Sequence, residues 1–132
     1  MQSPLEILVR ASVKNPSQEE IHAIEDIFTK CEYEKGEVLK KSGSISKELA
    51  FILKGSARAY MISRKGDEII SSIVQENNFL ADLISVRTNE ANPIILDFLE
   101  DSTALVAPIT AHRKLLEVNL AYNILIREHL AE

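Results

Sequence analysis

Residues 35–67 read KGEVLKKSGSISKELAFILKGSARAYMISRKGD, and all four glycines of the 132-residue chain (Gly36, Gly43, Gly55 and Gly66) stand inside this window. Glycine takes positive φ without steric cost, so glycines set between short apolar or alternating runs mark strand, turn, strand, turn. Ala57, Ala59 and Met61 alternate with Arg58, Tyr60 and Ile62, as a strand with two different faces requires. Arg64-Lys65-Gly66-Asp67 is a tight hairpin turn between two such runs. Working outward, strands are predicted near 31–34, 37–41, 48–54, 56–64, 67–75, 93–99 and 103–108, with Glu100-Asp101 as a turn. Short strands with turns at this spacing predict a mainly β fold with flanking α-helices, built as a double-sheet jelly roll or barrel.

Helices flank the strand region on both sides. Ser3-Pro4-Leu5-Glu6 combines a cap residue, Pro at the first helical position and Glu three residues after the cap, which predicts a helix over 4–13. Asn15-Pro16 ends it, and Ser17-Gln18-Glu19-Glu20 opens a second helix over 18–29, whose Ile21, Ile24, Ile27 and Phe28 recur at helical spacing. Leu80–Thr88 reads as about two helical turns. Thr110 is the expected cap of a helix over 111–118, and Asn119 opens a last helix running to the final residue. That last helix carries Leu120, Tyr122, Ile124, Leu125, Ile126 and Leu130 on more than one side. Two apolar faces need two partners, so one is expected to cover the roll and the other to meet a second copy of the chain, making a homodimer. The expected organisation is one domain over 1–132, with N-terminal helices over 1–30, a β-roll over 31–109 and C-terminal helices over 111–132.

Charge and composition narrow the function classes. The chain is 45% apolar and 27% charged, ordinary for a globular protein that holds its core without disulfides. Its net charge of −5 is uneven, with +5 over 36–66 and −7 over 67–132. An acidic C-terminal half is a poor nucleic-acid surface, so DNA is not an expected partner of these residues themselves. No apolar run approaches the ~20 residues that span a bilayer, and no membrane association is expected. The first residues lack the basic segment of a signal peptide. Cys31 is the single cysteine, which fits a reducing cytoplasm.

Further along the window, the wording becomes specific. The stretches Lys35-Gly36-Glu37-Val38-Leu39, Ser42-Gly43, Leu49-Ala50-Phe51-Ile52-Leu53-Lys54-Gly55-Ser56-Ala57-Arg58, Lys65-Gly66-Asp67-Glu68 and Phe79-Leu80-Ala81-Asp82-Leu83 come in order. Together they resemble the cyclic-nucleotide-binding-type sensor domain of Crp/Fnr-family transcriptional regulators. The resemblance covers essentially the whole chain. It implies a β-roll with a C-terminal dimerisation helix, an effector held in the roll, and a helix-turn-helix domain that would have to come from residues outside this chain. It implies no catalytic residue, no metal and no cofactor. The candidate ligand set it carries onto this chain is Arg58, Phe79, Leu80, Ala81, Asp82, Leu83, Ser85, Arg87 and Thr88.

The same comparison exposes two departures. The family's cassette opens with Phe, an aliphatic residue, Gly, Glu and an aliphatic residue; this chain has Ala81 at the glycine and Asp82 at the glutamate. The family's phosphate-binding arginine stands just before the next strand, where this chain has Ile94, followed by Ile95 in place of a hydroxyl residue. An anion there would face Asp82 with no cation, a like-charge contact worth about 4 kcal/mol at ~4 Å and an effective dielectric near 20. Cyclic AMP held in the usual manner is therefore not expected. Arg87, within the cassette, and Arg58, if it points into the roll, are the alternative cations. Asp82 is equally a ligand contact or a helix-start cap. The competing reading is a dimerisation module whose pocket is filled by its own Ile94, Ile95 and Leu96.

Other chemistries find little support. A cupin enzyme needs histidine ligands on its strands, and His22, His112 and His129 all lie outside 31–108. No Walker or Rossmann phosphate loop is present. Cys31 has no identifiable base, and Tyr33, Tyr60 and Tyr122 are too scattered for a base-stacking platform.

Overall fold

The computed structural model describes residues 1–130. The chain runs α1 (Pro4–Ser12), α2 (Gln18–Asp26), β1 (Thr29–Tyr33), β2 (Val38–Lys40), β3 (Glu48–Lys54), β4 (Ala57–Ile62), β5 (Glu68–Val74), β6 (Phe79–Leu80), α3 (Leu83–Thr88), β7 (Ile95–Phe98), β8 (Ser102–Pro108), α4 (Ile109–Val118) and α5 (Leu120–Leu130). Every strand pair is antiparallel. The strands form two four-stranded sheets, ordered β1-β8-β3-β6 and β2-β7-β4-β5.

The two sheets face each other across an apolar layer that includes Ala50, Ile52, Ala57, Ala59, Leu96 and Phe98. The opposite face of β3 puts Leu49 and Phe51 beneath the helices, in a second core shared with α1, α2, α4 and α5. A strand buried on both faces is apolar throughout rather than alternating, which is why Leu49–Leu53 is an unbroken apolar run. Gly55 makes the β3–β4 turn at φ +101°, in the region favouring glycine.

The predicted strands all occur, with edges shifted by a residue or two, and α2 ends at Asp26 rather than at 29 because β1 already begins at Thr29. Ser3 accepts from the Glu6 N–H, and Ser17 and Glu20 form the reciprocal capping box. Three readings change. Phe79–Leu80 is a short strand paired with Ala50–Phe51, so the cassette helix begins only at Leu83. Two residues carry no visible strand period, and only pairing across the sheet reveals them. α4 starts at Ile109 after Pro108 and has no side-chain cap, so Thr110 lies inside the helix. The last helix does open at Asn119, whose Oδ1 accepts from the Tyr122 N–H at 3.0 Å; its expected extension to residue 132 lies outside the described residues.

For the last helix, packing within the chain accounts for much of the apolar surface. Tyr122, Leu125 and Leu130 are buried in this chain's own core, and Ile124 and Ile126 pack partly against it. α5 lies against α1 and α2 on one side and α4 on another, so two sides of the helix are covered within the chain. Of the six residues, Leu120 alone is largely exposed, at 67%. Helical periodicity counts apolar faces but does not say which part of the chain covers each one.

Candidate functional site

The cassette between β6 and β7 is where the resemblance puts a nucleotide. Asp82 caps α3: its Oδ1 accepts from the Ser85 N–H at 3.1 Å. The Asn92 side-chain amide donates to both carboxylate oxygens, at 2.9 and 3.1 Å. Lys40 Nζ, on β2, lies 3.0 Å from Asp82 Oδ2. The same ammonium donates to the main-chain carbonyls of Ile94 (2.8 Å), Asn92 (2.9 Å) and Lys41 (3.2 Å). It bonds the backbone on either side of Pro93, at the entry to β7. A cation therefore does face Asp82, contrary to the expectation from sequence, but it comes from β2 and its donors are already engaged.

The two hydroxyl side chains of the cassette helix beyond its cap are engaged too, Ser85 and Thr88. Ser85 Oγ donates to the Glu90 carbonyl and accepts from the Ser46 N–H, both at 2.7 Å. Thr88 Oγ1 donates to the Ile84 carbonyl at 2.8 Å and accepts from the Glu90 N–H at 3.2 Å. Among the described residues, every side-chain nitrogen or oxygen wholly shielded from solvent has a partner. What remains is an open cavity of about 330 Å³, walled in part by Ala59, Ser72, Ala81, Asp82, Leu83 and Ile94. Asp82 is the one charged side chain on its wall.

Several candidate residues stand elsewhere. Arg58 is opposite Asp97 on the neighbouring strand, on the face turned away from the Ala57 and Ala59 layer. It pairs with Asp97 and Glu68, each at 2.9 Å, and lies 3.7 Å from the Tyr60 ring centroid. Those carboxylates raise the guanidinium pKa, Asp97 foremost, and Arg58 in turn lowers that of Glu68. The period of two turns Arg58 outward once Ala57 and Ala59 face the core, so it does not point into the roll. Leu80 is buried between the sheets, and Phe79 packs against Phe28 and Phe51 under the helices. Arg87 is exposed and borders a different cavity, between α3, α4 and α5. Ile94 and Leu96 do pack toward the inter-sheet layer, but Ile95 is opposite Tyr60 on the other face. Lys40 and Asn92 are the partners of Asp82 missed in the sequence; no local pattern distinguishes a lysine that folds inward from its charged neighbours.

The cyclic nucleotide-binding domain model matches residues 30–119. The chain belongs to the cyclic nucleotide-binding domain family. No curated protein matches the sequence at a significant level. Among solved structures, this family member is similar to the Thermus thermophilus catabolite activator protein, at TM-score 0.75 and 16% identity, with 98% of this chain and 57% of that one covered. It thus spans a little over half the length of that relative. It is also similar to the sensor domain of the transcriptional regulator DNR from Pseudomonas aeruginosa (TM-score 0.73, 14% identity, 94% and 81% covered). A third likeness is to a cAMP-bound mutant of the regulatory subunit of a cAMP-independent protein kinase A from Trypanosoma brucei (TM-score 0.71, 16% identity, 91% and 42% covered). At these identities the likeness is one of fold, and at that level the Crp/Fnr-type resemblance stands. No described helix is long and apolar enough to cross a membrane.

Proposed function

We propose that this cyclic nucleotide-binding domain is a non-enzymatic regulatory module of the Crp/Fnr type whose nucleotide cradle keeps an open cavity but has its carboxylate committed to its own Lys40 and Asn92. The network of Lys40, Asp82 and Asn92 carries the reading. In a working cradle a carboxylate is left free for a ribose hydroxyl and a cation for a phosphate; here each takes the other as partner, and Ile94 offers no replacement. Opening the site would break a buried ion pair, at a cost of about 3–5 kcal/mol before any ligand contact forms. That corresponds to a few orders of magnitude in affinity.

The module acts in the cytoplasm by coupling the cassette and α5 to a DNA-binding domain supplied by residues outside this chain. Self-association, if it occurs, uses the α4–α5 corner, where Val118 and Leu120 are 81% and 67% exposed, rather than the buried residues of α5.

Calorimetric titration with cyclic AMP and cyclic GMP to millimolar concentration tests the committed cradle. The expected result is no binding heat and no rise in melting temperature, since a bound ligand stabilises by RT ln(1 + [L]/Kd). Micromolar binding of either nucleotide would overturn it. Sedimentation at high concentration, with Leu120→Asp as the comparison, tests the corner.

A further inference from the structure

A largely apolar depression that also carries charge lies outside the cradle, where α3, α4 and α5 converge. It is a groove of about 470 Å³, within the range of small-molecule sites. Its floor is aliphatic, formed by Leu83 and Val86 from α3, Leu116 from α4, and Ile126 and Leu130 from α5. Each helix adds an arginine to the wall: Arg87, Arg113 and Arg127, against the single carboxylate of Glu117. In a chain of net charge −5, this is a local positive site.

Two of the three guanidiniums are uncommitted. Arg113 donates to the Val86 carbonyl at 2.8 Å and the Asn89 Oδ1 at 3.4 Å, tying α4 to α3. Arg87 and Arg127 are exposed and have no ion pair among the described residues.

His112 supplies an independent observation. It is 2% exposed and forms part of the groove wall, and its Nδ1 lies 2.7 Å from the Tyr122 hydroxyl. Tyr122 is fully buried, and His112 is its hydroxyl's one described partner. A buried hydroxyl that left its proton unbonded would incur the full desolvation cost, so Tyr122 donates and Nδ1 accepts. The ring proton is then on Nε2, which has no acceptor among the described residues. Burial first and Arg113 second hold the ring neutral at pH 7.

We propose that this groove binds an amphiphilic organic carboxylate, its apolar body along the aliphatic floor and its head group accepting from Arg87, Arg127 and the His112 Nε2–H. The guanidinium fork matches a carboxylate bidentately, and the aliphatic floor favours each methylene it removes from water. A bound molecule would bridge the cassette helix to the terminal helix. The inference rests on the regulatory reading and deepens it by giving it an effector site away from the cradle.

Decanoate is the probe, titrated calorimetrically into the full chain, with decanol and decyltrimethylammonium as equal-length controls. Decanoate is expected to bind at least tenfold more tightly than either control. The double variant Arg87→Gln/Arg127→Gln should weaken it a further tenfold or more at unchanged melting temperature, since both side chains are exposed. Imidazole ¹⁵N resonances of His112 should shift on binding with the Nε2–H tautomer retained. Equal affinity for decanol, indifference to the double variant, or no decanoate binding would each overturn the proposal. A null result here leaves the nucleotide titration untouched, so the two readings fail separately.

Discussion

Lys40 Nζ and Asp82 Oδ2 meet at 3.0 Å with side chains only 3% and 1% exposed, joining the end of β2 to the start of the cassette helix. Charges so deeply buried are tolerated because each has further partners: the ammonium has three carbonyls, and the carboxylate has an amide group and a backbone N–H. Lys40→Met leaves the carboxylate without its cation and is expected to cost about 3–5 kcal/mol. Asp82→Asn keeps a capable helix cap but strands the ammonium. The double variant removes both charges and should recover part of the loss, giving a coupling energy of about 1–3 kcal/mol in a urea-denaturation cycle. A Lys40→Met loss below 1 kcal/mol would contradict a structural role for the pair.

Gly55 and Gly36 both hold positive φ, +101° and +85°, yet their surroundings differ. A methyl group at Gly55 would collide with the Ser102 side chain and come within 2.9 Å of its Cα, whereas at Gly36 it would meet nothing within 4 Å. Gly36→Ala should therefore cost only the backbone term, about 1–2 kcal/mol. Gly55→Ala adds the displacement of β8 and should cost clearly more. Melting temperatures of the two variants, measured side by side, decide it; equal losses would mean that the β3–β4 turn yields freely.

His112 sets an acid-side limit on stability. Burial, then the neighbouring Arg113, lowers its pKa from 6.5 to about 4. Facing it are the Tyr122 hydroxyl of α5 and, around the shared groove, Arg87, Arg127 and Glu117. The unfolded chain takes up this proton more readily than the folded one, so stability is complete above about pH 6.5 and falls as pH drops toward 4. The full span is on the order of 3 kcal/mol. His112→Gln should flatten the stability profile across that window, read by chemical denaturation at half-unit steps. An unchanged slope would show that the ring does not stay neutral in the fold.

Glu20 joins two helix starts with one carboxylate. Its Oε1 accepts from the Ser17 N–H at 2.9 Å and its Oε2 from the Ala121 N–H at 3.0 Å, while Asn119 Nδ2 donates to the Glu20 carbonyl at 3.1 Å. The Ser17 N–H foremost, then that of Ala121, holds the Glu20 pKa below its ordinary value. Its contribution is therefore present above about pH 4.5 and lost as pH falls below that, a window lower than that of His112. Glu20→Ala should cost about 1–2 kcal/mol at pH 7, as the loss of a cap does, and much less at pH 3. A pH-independent loss would assign the effect to packing instead.

The sequence alone determined the features that follow local rules. Glycine spacing located the turns, period-two alternation located β4, and the cap residues Ser3, Ser17 and Asn119 marked where helices begin, because each depends on a few neighbouring backbone groups. The order of those signals also sufficed for the family and its departures at Ala81 and Ile94. Only the tertiary structure decided that Lys40 turns inward to Asp82, that Arg58 turns outward to Asp97, that Phe79–Leu80 is a strand, and that α5 packs against α1 and α2 as well as α4. Those outcomes depend on sheet register and on which distant segments compete for one surface. Side-chain partnership across tens of residues leaves no mark in local periodicity, so an Asp82 that reads in sequence as lacking a cation is in the fold paired with Lys40 from β2.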